Sequence, residues 1–237
     1  MKLYELKQEV LEANLSLVEK NLVVSTWGNV SGFFEDNEWV IIKASGIPYS
    51  EMNIEHMIVV DLKGQIVEGN YSPSTDTPTH IELYKSFKDR GIKGIVHTHS
   101  KYATIWAQSG NNIPCYGTTH GDYFYGEIPI TREMLDEEIL NEYEKNTGRV
   151  ILERFEEIDF IDVPAVLVNQ HGPFTWGETP SDAVLISEVL EYISEMALAN
   201  SLLGKDNNKQ IQRELLKKHH ERKFGNDSYH GQKGKAK

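Results

Sequence analysis

Cysteine is nearly absent from this chain: the single thiol, Cys115, excludes an intrachain disulfide and suits a reducing compartment. Long apolar runs are missing too. No stretch approaches the roughly 20 residues of a membrane span, and the charged opening "MKLYELKQEVLEANLSL" is not built like a secretory leader. A cytoplasmic protein without membrane contact is therefore expected. Positive charge is scarce, with 24 Lys and Arg against 36 Asp and Glu and a formal net charge of -12. Such a chain would repel a phosphate backbone, so nucleic acid is not an expected partner. The basic end "KGKAK" (233–237) reads as a solvated terminus. No G-x-G-x-x-G follows a strand, which argues against a dinucleotide site and against NAD.

What is present suffices for one substantial core, with 39% hydrophobic residues over 237 positions. Apolar residues recur at helical spacing over 3–20, so the chain opens on an amphipathic helix. Short strands are expected at "LVVST" (22–26), "WVIIKA" (39–44), "MIVVDL" (57–62), "GIVHTH" (94–99) and "AVLVNQ" (165–170). Helices are expected between them. One starts at Thr77-Pro78 with Thr77 as N-cap, and one is capped by Ser100. Others are a charged helix over 132–146, a long one from Thr179-Pro180, and a last one near 207–223. No repeat or linker divides the chain, so the reading is one α/β domain with a helical C-terminal extension.

"GIVHTHSKYATIWAQ" (94–108) carries the first chemical signal. Residues two apart on a strand point to one face, so His97 and His99 can present both imidazoles to one ion. Two histidines do not close a site, and further ligands are needed. His171, followed by Gly172-Pro173, ends another expected strand, and Asp76 lies just ahead of a helix start. Three histidines with or without a carboxylate suit Zn²⁺ or another borderline divalent ion and leave a position open for substrate. "HTHSKY" lacks the Asp-His continuation of metallo-hydrolases, which argues against hydrolysis.

Three small-residue turns, "TWGNVS" (26–31), "KASG" (43–46) and "SPSTD" (72–76), can offer backbone N–H groups and hydroxyls to a phosphate, with Lys43 adding charge. Gly and Ser are also ordinary turn residues, and taken singly each stretch reads better as a plain turn than as a phosphate cradle. In "TTHGDYFYGEIP" (118–129), Asp122 is an acid–base candidate with His120 nearby, although the loop also reads as aromatic packing on the core.

In this order, "STWGNVS", "KASG", "SPSTDTPTH", "GIVHTHSKYATIWAQ", "TTHGDYFYG", "NQHGPFTWG" and "RKFGNDSYHGQ" resemble the L-ribulose-5-phosphate 4-epimerases of the class II aldolase/epimerase family. The resemblance covers nearly the whole chain. It implies a single domain over 1–237 whose central, largely antiparallel sheet is flanked by helices in three layers. It implies His97, His99 and His171 as metal ligands with Asp76 at or beside the metal, Zn²⁺ as the ion, and Mn²⁺ or another divalent ion as a substitute. Gly28, Asn29, Lys43, Ser45, Gly46, Ser74, Thr75, Thr118, His219 and Arg222 match substrate and phosphate contacts, and Asp122 matches a catalytic acid/base. The family's tail carries a catalytic tyrosine in a Tyr-Tyr pair before Gly-Gln. Here the pair is Tyr229-His230, and both residues are candidates for the second proton carrier.

The implied substrate is a small phosphorylated ketopentose. Its C4–H is not acidic, and the family inverts C4 by breaking and re-forming the C3–C4 bond. The implied assembly is a homotetramer with active sites at subunit interfaces, the segment from about 205 to 237 reaching a neighbouring subunit. A fuculose-phosphate aldolase of the same family would share the metal site but release its fragments. A non-catalytic sugar-phosphate sensor would keep the histidines and need no Asp122.

Overall fold

The computed structural model describes residues 2–203 and 209–225. Its strands are β1 (Asn29–Phe34), β2 (Trp39–Lys43), β3 (Met57–Asp61), β4 (Ile66–Glu68), β5 (Gly94–His97), β6 (Ala165–Leu167) and β7 (Pro173–Gly177). Its helices are α1 (Leu3–Glu19), α2 (Thr77–Phe87), α3 (Lys101–Ser109), α4 (Thr118–Gly121), α5 (Asp136–Leu140), α6 (Tyr143–Arg154), α7 (Pro180–Leu203) and α8 (Arg213–Phe224). The strands form one sheet in the order β4-β3-β2-β1-β5-β7-β6, and every neighbouring pair is antiparallel. The expected α/β fold around a largely antiparallel sheet is the one observed.

Helices cover both faces of the sheet, which is why the stretches "MIVV" and "GIV" of β3 and β5 are apolar and buried without alternation. On one face Phe33, Val40, Ile58, Val60, Ile95, Phe174 and Trp176 pack against α2 and α6. On the other, Val30, Ile41, Val59 and Val96 meet α1 and α7. Each buried large aliphatic side chain contributes roughly 1.5–3 kcal/mol, so the two faces together outweigh any single turn or cap. Among the described residues no helix is long and apolar enough to cross a membrane.

The structure departs from the expected elements in ways that packing explains. "LVVST" pairs with nothing as a strand. Leu22 and Val23 bury against α1 and α7 as irregular chain, and Ser25 turns it at φ 57°. The true central strand is β1, "NVSGFF", whose Gly and Ser resemble a loop. A Cβ on Gly32 would sit 2.7 Å from Val10 Cγ2, because α1 crosses there. β7, "PFTWG", is hidden in the same way by its Pro and Gly. Residues 132–146 are not one helix, since the chain breaks at Asn141 and Glu142, the latter at φ 50°. Asp76, not Thr77, is the N-cap of α2. The last helix begins at Arg213.

Candidate functional site

Strand register builds the first half of the site. Asn29 faces His97 across β1 and β5, and His97 faces Phe174 across β5 and β7, so the three stand abreast at one end of the sheet. β5 ends at His97, and His99 follows in the bend with its ring centroid 4.9 Å away. His171 enters from the turn between β6 and β7, where Gln170 takes φ 59° and the His171 N–H donates to the Val168 carbonyl at 3.0 Å. Its ring lies 4.7 Å from that of His97 and 5.0 Å from that of His99. Glycine is required next: a Cβ on Gly172 would meet the Thr98 carbonyl at 2.8 Å.

One ring nitrogen from each histidine converges on a common point, all within 4.8 Å of one another. His97 Nδ1 donates to the Pro173 carbonyl at 3.0 Å, which leaves a lone pair on its Nε2, 3.1 Å from His99 Nε2. Burial, with His97 adjacent, holds His99 below the usual imidazole range, and burial plus its two neighbours pushes His171 down to about 3. Convergent imidazoles are the donor set a borderline divalent cation takes, with coordination positions left for a substrate.

Asp76 stands beside this group and does not join it. Its Oδ2 accepts from Asn29 Nδ2 at 2.6 Å, and the same amide donates to Ser74 Oγ at 3.1 Å. Burial pushes the Asp76 carboxyl up, but His97, His80, the Asn29 bond and His171 together hold it below the usual carboxylate range. Lys43 is buried, donates to the Thr26 carbonyl at 3.1 Å, and makes no ion pair among the described residues. Burial drives its ammonium below the usual range, against the opposing pull of Asp76. Ser45 N–H donates to the Ser72 carbonyl and Ser74 N–H to the Lys43 carbonyl, both at 2.9 Å, which sets the "KASG" and "SPSTD" turns side by side. Gly28, at φ 75°, lets the chain pass His97: a Cβ there would lie 3.0 Å from the His97 carbonyl. Gly28 and Asn29 thus lie against His97, Ser74 and Asp76 join them through the Asn29 amide, and Lys43 lies near Asp76, while Ser45, Gly46 and Thr75 sit in the two adjoining turns.

A tertiary cap steadies the start of α3, just after His99. Ser100 is the N-cap of this helix but makes no side-chain capping bond. Glu191 of α7 takes that role, accepting from the Tyr102 N–H at 2.8 Å and the Ala103 N–H at 3.0 Å. Glu191→Ala is expected to cost about 1 kcal/mol, as loss of an ordinary cap does. A urea midpoint equal to that of the unchanged protein would show the cap to be idle.

The remaining expected residues form a second group. Thr118 opens α4, and its carbonyl accepts from the Asp122 N–H at 2.8 Å. Asp122 Oδ1 accepts from His219 Nδ1 at 2.9 Å and from Arg222 Nε at 3.1 Å, and its Oδ2 accepts from Arg222 Nη2 at 2.8 Å. Burial pushes the Asp122 carboxyl up, but the bonds from Arg222 and His219 outweigh it and hold it below the usual range. His219 and Arg222, three apart, share one face of α8. The guanidinium therefore serves the carboxylate, where a phosphate contact was expected of it. His120 has a core role: it is buried, bonded to the Gly126 carbonyl at 2.8 Å, and pushed down to about 4 by burial. No side-chain hydrogen bond or ion pair among the described residues joins this group to the histidines. Tyr229 and His230 lie outside the described residues.

Three residues escaped the sequence reading. Glu191 sits in a long amphipathic helix where a lone carboxylate carries no signal. His80 is fully buried beside Asp76, with Nδ1 on Ser31 Oγ at 2.7 Å and Nε2 without a partner among the described residues. Tyr143 lies 3.4 Å from His171 Nδ1.

Residues 8–198 match the family described as Class II Aldolase and Adducin N-terminal domain, and the chain belongs to that family. Among solved structures, an L-fuculose 1-phosphate aldolase is 24% identical, covers 94% of this chain and 97% of its own, and superposes with a TM-score of 0.78. A sugar-phosphate aldolase from Thermotoga maritima is 19% identical over 86% of this chain and 98% of its own, with a TM-score of 0.69. An L-fuculose-1-phosphate aldolase from Thermus thermophilus is 21% identical over 84% of this chain and 97% of its own, at a TM-score of 0.64. At these identities the likeness is one of fold.

Proposed function

We propose that this chain is a metal-dependent epimerase that interconverts L-ribulose 5-phosphate and D-xylulose 5-phosphate by breaking and re-forming the C3–C4 bond. The observation that carries the reading is Asp122, gripped by His219 and Arg222 of the helix that leads into the Tyr229-His230 tail. A fold of the aldolase family, a histidine triad and a separately held carboxylate are the parts such a reaction needs.

His97, His99 and His171 would hold the ion, with Asp76 beside it; Zn²⁺ is the expected occupant and Mn²⁺ or another divalent ion a substitute. A divalent ion there supplies Lewis acidity toward the C2 carbonyl and C3 hydroxyl oxygens of a ketose. Asn29 Oδ1, buried without a partner among the described residues, is an acceptor for a substrate hydroxyl. The turns at Ser45-Gly46 and Ser74-Thr75 cradle the phosphate, and Lys43, buried without an ion pair among those residues, supplies its countercharge. Asp122, kept ionised by its two basic neighbours, takes the proton of the C4 hydroxyl as the C3–C4 electron pair moves toward the C2 carbonyl. The resulting aldehyde rotates and is attacked on its other face, and Tyr229 or His230 handles the proton on that side.

Asp122 and α8 travel together in one chain, and among the described residues they bond to none of its metal histidines. In the homotetramer that the family resemblance implies, we place the triad of one subunit against Asp122 of the next. Inactive His97→Asn and inactive Asp122→Asn proteins, unfolded together and reassembled in equal amounts, are then expected to recover activity. About a quarter of the sites would combine an intact triad with an intact carboxylate. No recovery would mean that Asp122 serves its own chain.

The names of the structural relatives favour a second reading, a sugar-phosphate aldolase that releases its fragments. Product analysis with L-ribulose 5-phosphate separates the two. D-xylulose 5-phosphate without net accumulation of free fragments supports the epimerase, and net cleavage would overturn it.

A further inference from the structure

We infer that Tyr143 is a positioning residue for the metal centre, its hydroxyl serving as the outer partner of His171. The inference rests on reading the histidine triad as a metal site. An imidazole that ligates through one ring nitrogen must carry its proton on the other, and the group that accepts this proton sets both tautomer and ring direction. His97 has such a partner in the Pro173 carbonyl. Among the described residues no backbone carbonyl does this for His171, whose Nδ1 instead lies 3.4 Å from Tyr143 Oη, with the rings 6.2 Å apart and tilted by 36°. A phenol oxygen there can accept the Nδ1–H and leave the opposite nitrogen free for the ion.

The surrounding chain holds Tyr143 in place from several sides. Tyr143 is the first residue of α6, and its predecessor Glu142 adopts φ 50°, ψ 44°, a conformation that residues other than glycine seldom take. Asn146 Nδ2 fixes that turn by donating to the Asn141 carbonyl at 2.6 Å and the Glu138 carbonyl at 3.2 Å. Thr79 Oγ1 donates to the Glu144 carbonyl at 2.5 Å and ties the helix start to α2, three residues past Asp76. Backbone strain that several independent bonds maintain is found where a side chain must be aimed. Here the aimed side chain is Tyr143.

Tyr143→Phe keeps the ring and removes only the hydroxyl. Zinc affinity, measured by competition with a chromogenic chelator, is expected to fall about 10–100-fold. Metal-free melting temperature should stay the same, because the ring packing is kept. A role in packing alone would leave zinc affinity unchanged as well. The decisive comparison repeats Tyr143→Phe in a His171→Ala background. If Tyr143 acts through His171, the hydroxyl has nothing left to orient and its removal costs no further affinity. Wild-type affinity in the single variant, or an equal loss in both backgrounds, overturns the inference. If His171→Ala itself binds zinc as tightly as the unchanged protein, the metal reading of the triad falls, and this inference with it.

Discussion

Asp122→Asn is expected to lower turnover of L-ribulose 5-phosphate by roughly 10²–10⁴-fold, the usual worth of a positioned acid–base group. Metal content should stay intact, because Asp122 is not one of the convergent ligand set. The amide keeps an acceptor for His219 and Arg222 Nε, but its NH₂ would face the donor Nη2 of Arg222, where the carboxylate now accepts at 2.8 Å. A small loss of α8 docking can therefore accompany the kinetic loss, and a thermal melt on the same sample separates the two. Loss of metal from Asp122→Asn would make this carboxylate a ligand. Unchanged turnover would remove it from the chemistry altogether.

His97→Asn should strip the metal site. His97 is the most constrained of the three histidines: buried, stacked on Phe174 with 4.2 Å between ring centroids, and bonded to the Pro173 carbonyl. A shorter amide on the same Cβ cannot reach both that carbonyl and the point where the three nitrogens meet. Removing a direct ligand should cost more than the roughly 10–100-fold that loss of an outer partner costs. Turnover should vanish with the metal. Elemental analysis, with circular dichroism to show that the sheet persists, is the check. Full metal occupancy with retained activity would refute the ligand assignment.

Much of the fold was legible in the residues because its strongest signals are local. Apolar period in "LYELKQEVLEANLSLVE" is enough to predict α1, and β-branched runs announce β2, β3 and β5. β1 and β7 were hidden because their identity as strands depends on what packs over them: Gly32 is small to admit α1, and Pro173 lends its carbonyl to His97. "LVVST" misled for the opposite reason: its β-branched residues lie in irregular chain that pairs with no strand, where Leu22 is buried and Val24 is exposed.

The sequence by itself determined the candidate ligand types and their order. H-x-H at a strand end, a third histidine before Gly-Pro, and small-residue turns rich in donors are chemical facts that need no coordinates. Only the tertiary structure decided their grouping. Register between β1, β5 and β7 set Asn29, His97 and Phe174 abreast, and the turn before β7 folded His171 back onto them. Asp122 went elsewhere, to Arg222 and His219, and Glu191 and Tyr143 took supporting places that no spacing foretold. The reason is physical: chain-local periodicity fixes which way a side chain points from its own element. Which side chains meet depends on contacts between residues as far apart as Asp122 and Arg222, and only the packing of whole elements brings those together.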